Sequence, residues 1–135
     1  LELKKKLGLT VVFVSHDLGV IKHVSDRIAV MYLGNIVELG TRDQVMNNIM
    51  HPYAEILFSS IPHPDPEVKM KKSKIIGDVP SVVNKPTGCP FHTRCSYCQG
   101  KCIDEKPLLK DMGDGHLVAC HFAGTLDLNL EQDLG

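Results

Sequence analysis

The run from Leu9 to Ser15 constrains this chain most: a leucine, a threonine, three valines and a phenylalanine precede a serine with no polar alternation. β-Branched and aromatic residues favour extended backbone. An unbroken apolar run suits a strand buried on both faces, as strands of a parallel sheet are. Leu1 to Leu7 before it reads as the end of an amphipathic helix, with Gly8 as its stop. Leu18, Ile21 and Val24 after it keep helical spacing. Helix–strand–helix is the order of α/β folds, so the expected class is α/β. The chain opens without Met and without a capping residue, as a piece of a longer protein would.

Two short strands are expected next, Arg27 to Leu33 and Ile36 to Leu39, joined by Gly34-Asn35 as a two-residue hairpin turn. Thr41 opens a helix, and Gln44 three residues on completes a capping box. That helix runs towards Met50. His51-Pro52 breaks it, and Tyr53 to Ser60 forms another. Pro62, Pro64 and Pro66, followed by Lys69, Lys71, Lys72 and Lys74, mark residues 62–74 as a solvated linker. Residues 75–123 carry all five cysteines and little regular periodicity. They are expected to be a small irregular appendage that needs a staple other than a core. Residues 124–135 read as a tail. The division is thus 1–61, 62–74, 75–123 and 124–135.

Charge narrows the class of partner. Lys and Arg total 15 against 16 Asp and Glu, and aromatics are 5% with no Trp. That balance gives no electrostatic footprint for nucleic acid. No apolar run approaches the roughly 20 residues that span a bilayer, and the first residues lack the pattern of a secretory signal. A cytosolic setting is expected, where cysteines serve as metal ligands or free thiols rather than disulfides.

His16 directly follows the apolar run, where open α/β sheets place their ligands. Taken alone, a histidine there reads as a surface residue at a strand end. Thr10-Val11-Val12-Phe13-Val14-Ser15-His16-Asp17-Leu18, continued by Val24-Ser25-Asp26-Arg27 and on to Glu38-Leu39-Gly40, resembles the switch-histidine segment of ABC-transporter ATPases. The resemblance implies the C-terminal piece of a P-loop ATPase domain. It also implies that His16 contacts the γ-phosphate of ATP, bound with Mg, and helps hold the attacking water. Phosphoryl transfer depends mainly on positioning and charge stabilisation, a task that suits an imidazole N–H. Asp17 is expected to cap the following helix. No G-x-x-x-x-G-K-[ST] phosphate loop occurs. The signature Leu-Ser-Gly-Gly-Gln and the acidic Walker B end are missing too. All three are expected upstream of Leu1, so these residues alone are expected not to hydrolyse ATP.

His51-Pro52-Tyr53, Gly77-Asp78-Val79-Pro80-Ser81, Gly88-Cys89-Pro90-Phe91-His92-Thr93-Arg94-Cys95 and His116 to His121 resemble the oligopeptide and dipeptide branch of that family. Cys89, Cys95, Cys102 and Cys120 follow the spacing C-x5-C-x6-C-x17-C. Four such thiolates can hold a tetrahedral metal or a [4Fe–4S] cluster. The resemblance favours the cluster. Cys98 lies outside the pattern, and its spacing to Cys95 and Cys102 keeps zinc open. His92, His116 and His121 are substitute ligands or, on the plainer reading, loop hydrogen-bonders.

The function so implied is ATP-driven peptide import. A second ATPase subunit, identical or paralogous, and transmembrane permease subunits would be the partners. The site of action would be the cytoplasmic face of the inner membrane. The competing reading is a Cys-cluster module, regulatory or redox-sensing, with iron–sulfur or zinc.

Overall fold

The computed structural model describes residues 1–62, 65–67 and 75–128. The four linker lysines and the end of the expected tail lie outside the described residues. Helix α1 (Glu2–Leu7) ends at Gly8, whose φ of 61° is left-handed. Lys4 pairs with Asp26 and ties this helix to the start of the sheet. Helix α2 (Leu18–Val24) is capped by Asp17, whose carboxylate accepts the Val20 N–H at 3.2 Å.

Between these helices the expected buried strand does not form. Residues 9–15 carry no strand pairing, and Val12 and Val14 are 89% and 95% exposed. The physical reason is that a strand is defined by its neighbours. None of the described strands flanks this run to take its N–H and C=O groups, and high β-propensity alone does not fix a sheet.

The hairpin does form. Strand β1 (Arg27–Tyr32) pairs antiparallel with β2 (Asn35–Thr41). The turn sits one residue earlier than expected, at Leu33-Gly34, where φ is 46° and 78°. Two consecutive left-handed residues make the tight turn whose twist matches that of the strands. The side-chain amide of Asn35 donates to the Leu33 carbonyl at 3.2 Å. Along β1, Ile28, Val30 and Tyr32 alternate inward. In β2 a register shift opposite Val30 and Met31 lets Val37 and Glu38 both be buried. That is a bulge, which re-aims side chains at the point where it interrupts alternation.

Helix α3 (Arg42–Asn47) begins with the full capping box of Thr41 and Gln44. It stops short of Met50. Helix α4 (Pro52–Ser59) starts at Pro52 rather than Tyr53, with His51 as its N-cap. Proline suits the first helical position because its missing N–H would have had no partner there.

The cysteine-bearing segment differs most from expectation. Rather than forming an irregular unit by itself, it extends the same sheet. Strands β3 (Lys110–Asp111) and β4 (Leu117–Val118) complete a four-stranded antiparallel sheet of order β1-β2-β4-β3. A single 3-10 turn (His92–Arg94) and helix α5 (Gly100–Asp104) complete the segment's regular structure. Phe91, 1% exposed, packs with Tyr32 at 5.1 Å and Tyr53 at 5.3 Å between ring centroids. This aromatic cluster joins the core of Ile28, Val30, Val37, Val45, Ala54 and Phe58. The segment thus draws its order from the hairpin it packs against.

Gly88 is the tightest point of that packing. Its φ is +69°, and a Cβ there would lie 2.3 Å from the Cys102 carbonyl oxygen. The next residue's N–H donates to that same oxygen at 2.8 Å. Gly88→Ala should therefore cost at least about 2 kcal/mol, from left-handed strain and overpacking together. Urea denaturation of the variant checks this; an unchanged midpoint would contradict the contact.

Candidate functional site

Cys89, Cys95, Cys102 and Cys120 all line one pocket. His51, His92 and His121 share its wall, and Phe91, Phe122 and Leu126 give it an apolar lining. Cys89 is set by the Gly88 turn, and Cys95 follows the 3-10 turn. Cys102 lies on α5, where its N–H bonds to the Gln99 carbonyl at 2.9 Å. Cys120 sits just beyond β4. Four residues spread over 32 positions of sequence thus meet in one place because a turn, a helix and a strand end converge there.

Burial pushes the Cys95 thiol up to about 12, and the neighbouring Cys120, Cys89 and Cys102 add to the shift. Cys120 is pushed up to about 11 by burial, then by Cys89, Cys102 and Glu38. Cys89 is raised in the same way. Burial thus shifts these thiols in the direction opposite to that of activated cysteines. Their mutual repulsion as thiolates is what a bound cation would reverse. Four cysteines are a donor set of the kind that binds a soft metal centre. Among the described residues, however, no three His, Cys, Asp or Glu side chains gather closely enough to hold a metal ion as they stand. Cys98 is set apart from the quartet's pocket lining, and burial followed by Cys102 raises its thiol.

The histidines are otherwise engaged. His92 Nδ1 meets the Cys89 carbonyl at 2.9 Å, and His121 Nε2 meets the Glu105 carbonyl at 2.7 Å. His116 Nε2 lies 2.6 Å from Glu38 Oε1. His16 is exposed, in a bend between the apolar run and α2. No described contact brings it to the cysteine pocket, so the two candidate sites are separate.

Sequence reasoning missed the polar centre behind the pocket. Glu38 is fully buried and accepts from the backbone N–H groups of Met50 at 3.1 Å and His51 at 3.0 Å, besides its contact with His116. Burial raises its carboxyl above the usual range, against the lowering effect of His116 and those two amides. His51 is 1% exposed. Its Nδ1 accepts the Tyr53 N–H at 3.1 Å, and it also bonds to the Ala119 backbone. The signal that could have shown this is the acidic residue amid the apolar strand Ile36-Val37-Glu38-Leu39, which demands a partner if that strand is buried.

Comparison with known proteins follows the same residues. The family described as the oligopeptide/dipeptide transporter C-terminal region matches residues 37–102. Over 120 residues the chain is 46% identical to the oligopeptide transport ATP-binding protein OppF of Haemophilus influenzae, covering 87% of this chain and 36% of that protein. It is 46% identical over 129 residues to the dipeptide transport ATP-binding protein DppF of Escherichia coli, covering 96% and 38%. With OppF of Salmonella typhimurium the identity is 45% over 121 residues, covering 88% and 36%. These matches identify the chain with the oligopeptide/dipeptide transporter C-terminal region. The chain spans 36–38% of the length of these relatives. Nothing in these relationships supports an independent Cys-cluster module.

The buried His51 carries a pH signature. Burial pushes it down to about 3 from the ordinary 6.5. The unfolded chain therefore binds a proton near pH 6.5 that the folded chain refuses until about pH 3. Stability from this group is fully present above pH 6.5 and is lost as pH falls towards 3. Its ceiling is roughly 4–5 kcal/mol at 1.36 kcal/mol per unit. Glu38 works in the opposite sense: with its folded value raised, its contribution is lost as pH rises through that value. His51→Asn keeps an N-cap acceptor and removes the titration. Urea unfolding between pH 6.5 and 4 should show a shallower loss of stability in the variant, by about one proton's slope. Equal slopes would remove His51 as the cause.

Proposed function

We propose that the chain is part of an ATPase subunit that powers peptide import across the bacterial inner membrane. The observation that carries this is the 46% identity over 96% of the chain to a dipeptide transport ATP-binding protein. In this reading the subunit sits on the cytoplasmic face, peripheral to the membrane. No described helix is long and apolar enough to cross a bilayer. A second ATPase subunit, identical or paralogous, closes over ATP and Mg with it, and transmembrane permease subunits turn that closure into peptide movement.

His16 is the residue assigned to the reaction. Its exposure leaves the imidazole available to a ligand, and Asp17 is already committed to capping α2. A ring N–H aimed at the γ-phosphate would act most strongly as charge develops on the equatorial oxygens. In the full-length protein, His16→Ala should lower ATP turnover by at least about tenfold and leave nucleotide affinity nearly unchanged, as expected for an interaction made mainly in the transition state. Steady-state hydrolysis and equilibrium binding separate the two. Turnover at the wild-type rate would reject the assignment. Peptide uptake that persisted after deletion of the gene's ATPase function would reject the transport reading itself.

Cys89, Cys95, Cys102 and Cys120 are proposed to hold a [4Fe–4S] cluster, with zinc as the second reading. Their convergence on one pocket supports either. Such a centre would supply a structural cross-link between α5, the 3-10 turn and the end of β4. Anaerobic purification should yield iron and sulfide near four each per chain for the cluster, or zinc near one per chain for a tetrahedral site. Cys89→Ser should lose that metal and lower the melting temperature, whereas Cys98→Ser should keep both. Absence of both metals, with Cys89→Ser as stable as the wild type, would end the proposal.

A further inference from the structure

Cys98 stands outside the pocket that the other four cysteines line, yet it touches one of them. Its side chain makes a hydrogen bond with that of Cys102. Cys95 and Cys120, by contrast, feel their neighbouring thiols through charge rather than through a side-chain bond. One carbonyl brings the pair together. The Cys98 thiol donates to the Gln99 oxygen at 3.7 Å, and the Cys102 N–H donates to the same oxygen at 2.9 Å. Only Gln99, Gly100 and Lys101 separate the two cysteines. Gly100 has open space around it and no side chain, so the backbone between the sulfurs can adjust. The two thiols differ in access: Cys98 is half-buried, and Cys102 is 8% exposed.

Two thiols in contact, one of them open to solvent, are the arrangement that thiol–disulfide exchange needs. The geometry points to Cys98 and Cys102 as a site of reversible oxidation by a small disulfide, which withdraws Cys102 from the pocket. The Cys98 thiol gives up its proton, and its sulfur attacks one sulfur of the reagent. The reagent's S–S bond breaks, one half leaves as a thiolate and takes up a proton, and a mixed disulfide remains on Cys98. The Cys102 sulfur, losing its proton in turn, attacks the Cys98 sulfur and displaces the second half, which is then protonated. The two cysteines lose two electrons and two protons, and the reagent gains both as two thiols. A bridge over three residues closes a small loop, so it gains little chain-entropy stabilisation and is readily reduced again. The bridge itself depends on these two side chains alone. Its consequence rests on the metal reading of Cys89, Cys95, Cys102 and Cys120: with Cys102 bridged, three thiols remain of the four that would ligate.

The whole chain, reduced and stripped of metal with EDTA, is exposed to oxidised glutathione, then alkylated with iodoacetamide and digested with trypsin. Lys101 lies between the two cysteines, so cleavage leaves two peptides that only a bridge joins. Mass spectrometry of the joined pair should place the link at Cys98, with Cys95 of the same peptide alkylated. Dithiothreitol should release it. In parallel, zinc chloride is offered to the reduced and to the oxidised chain, and the zinc retained after desalting is measured. The oxidised wild type should lose zinc retention and regain it with dithiothreitol. Cys98→Ser should retain zinc before and after the oxidant. A joined peptide linked through Cys95, or no joined peptide at all, would overturn the pair. A Cys98–Cys102 bridge that left zinc retention unchanged would overturn the withdrawal of Cys102. If the reduced chain took up neither zinc nor iron, the metal reading would fail by itself, and a bridge found by mass spectrometry would still support the pair.

Discussion

The carboxylate of Glu38 is where the two parts of this chain are fastened together. It arises from β2, within the hairpin. Its oxygens take the N–H groups at Met50 and His51, where the chain turns into α4, and meet the His116 imidazole just before β4. A fully buried carboxylate is tolerable only when its lone pairs are filled by donors. Here backbone amides and an imidazole supply them from two distant stretches of sequence. Removing any one partner would leave a buried charge under-satisfied. The position of α4 and that of β4 are thus linked through one side chain. The bulge at Val37 and Glu38 is what allows the acid to face inward beside an apolar neighbour.

The cysteine pocket inherits its geometry from that junction. His51 caps α4, faces the Ala119 backbone and lies against Phe91, with ring centroids 5.9 Å apart. Phe91 in turn anchors the turn between Cys89 and Cys95, while Ala119 immediately precedes Cys120. The N–H of Ala119 donates to the Val37 carbonyl at 2.8 Å, which extends the β2–β4 pairing to the edge of the pocket. Three of the four thiols are therefore positioned through contacts that trace back to β2. The fourth, Cys102, is held by α5 and by the close approach of Gly88. This explains how a segment poor in regular structure can present four thiols in one place. It borrows a sheet, an aromatic core and the buried Glu38 carboxylate from the hairpin.

Local signals were legible where local chemistry decides the outcome. The Thr41–Gln44 capping box, Asp17 as N-cap and Gly8 as helix stop each depend on residues within one helical turn, and each forms as expected. The four cysteines singled out by their spacing line one pocket. What the sequence did not disclose was long-range. The pairing of β4 with β2, the burial of His116 against an acid 78 positions away and the meeting of Tyr32 with Phe91 depend on chain topology. The turn at Leu33-Gly34 escaped for another reason. Gly-Asn is an acceptable hairpin pair, but here the bulge sets the register and moves the turn by one residue, at the expense of a left-handed leucine.

The apolar run from Leu9 to Val14 gives the clearest case of propensity without structure. Its composition is that of a central strand, yet it lies exposed beside a well-formed hairpin of ordinary composition. β-Propensity measured in hosts largely reports side-chain packing on a pleated, half-buried surface. Where flanking strands and covering layers are missing, nothing converts the preference into hydrogen bonds. The hairpin, by contrast, pairs residues no more than 14 positions apart, so each strand carries its partner close by in sequence. Relatives more than twice as long as this chain share its sequence at 45–46% identity. A contiguous exposed run of this kind is therefore evidence of a surface meant to be covered, rather than of an unstable local fold.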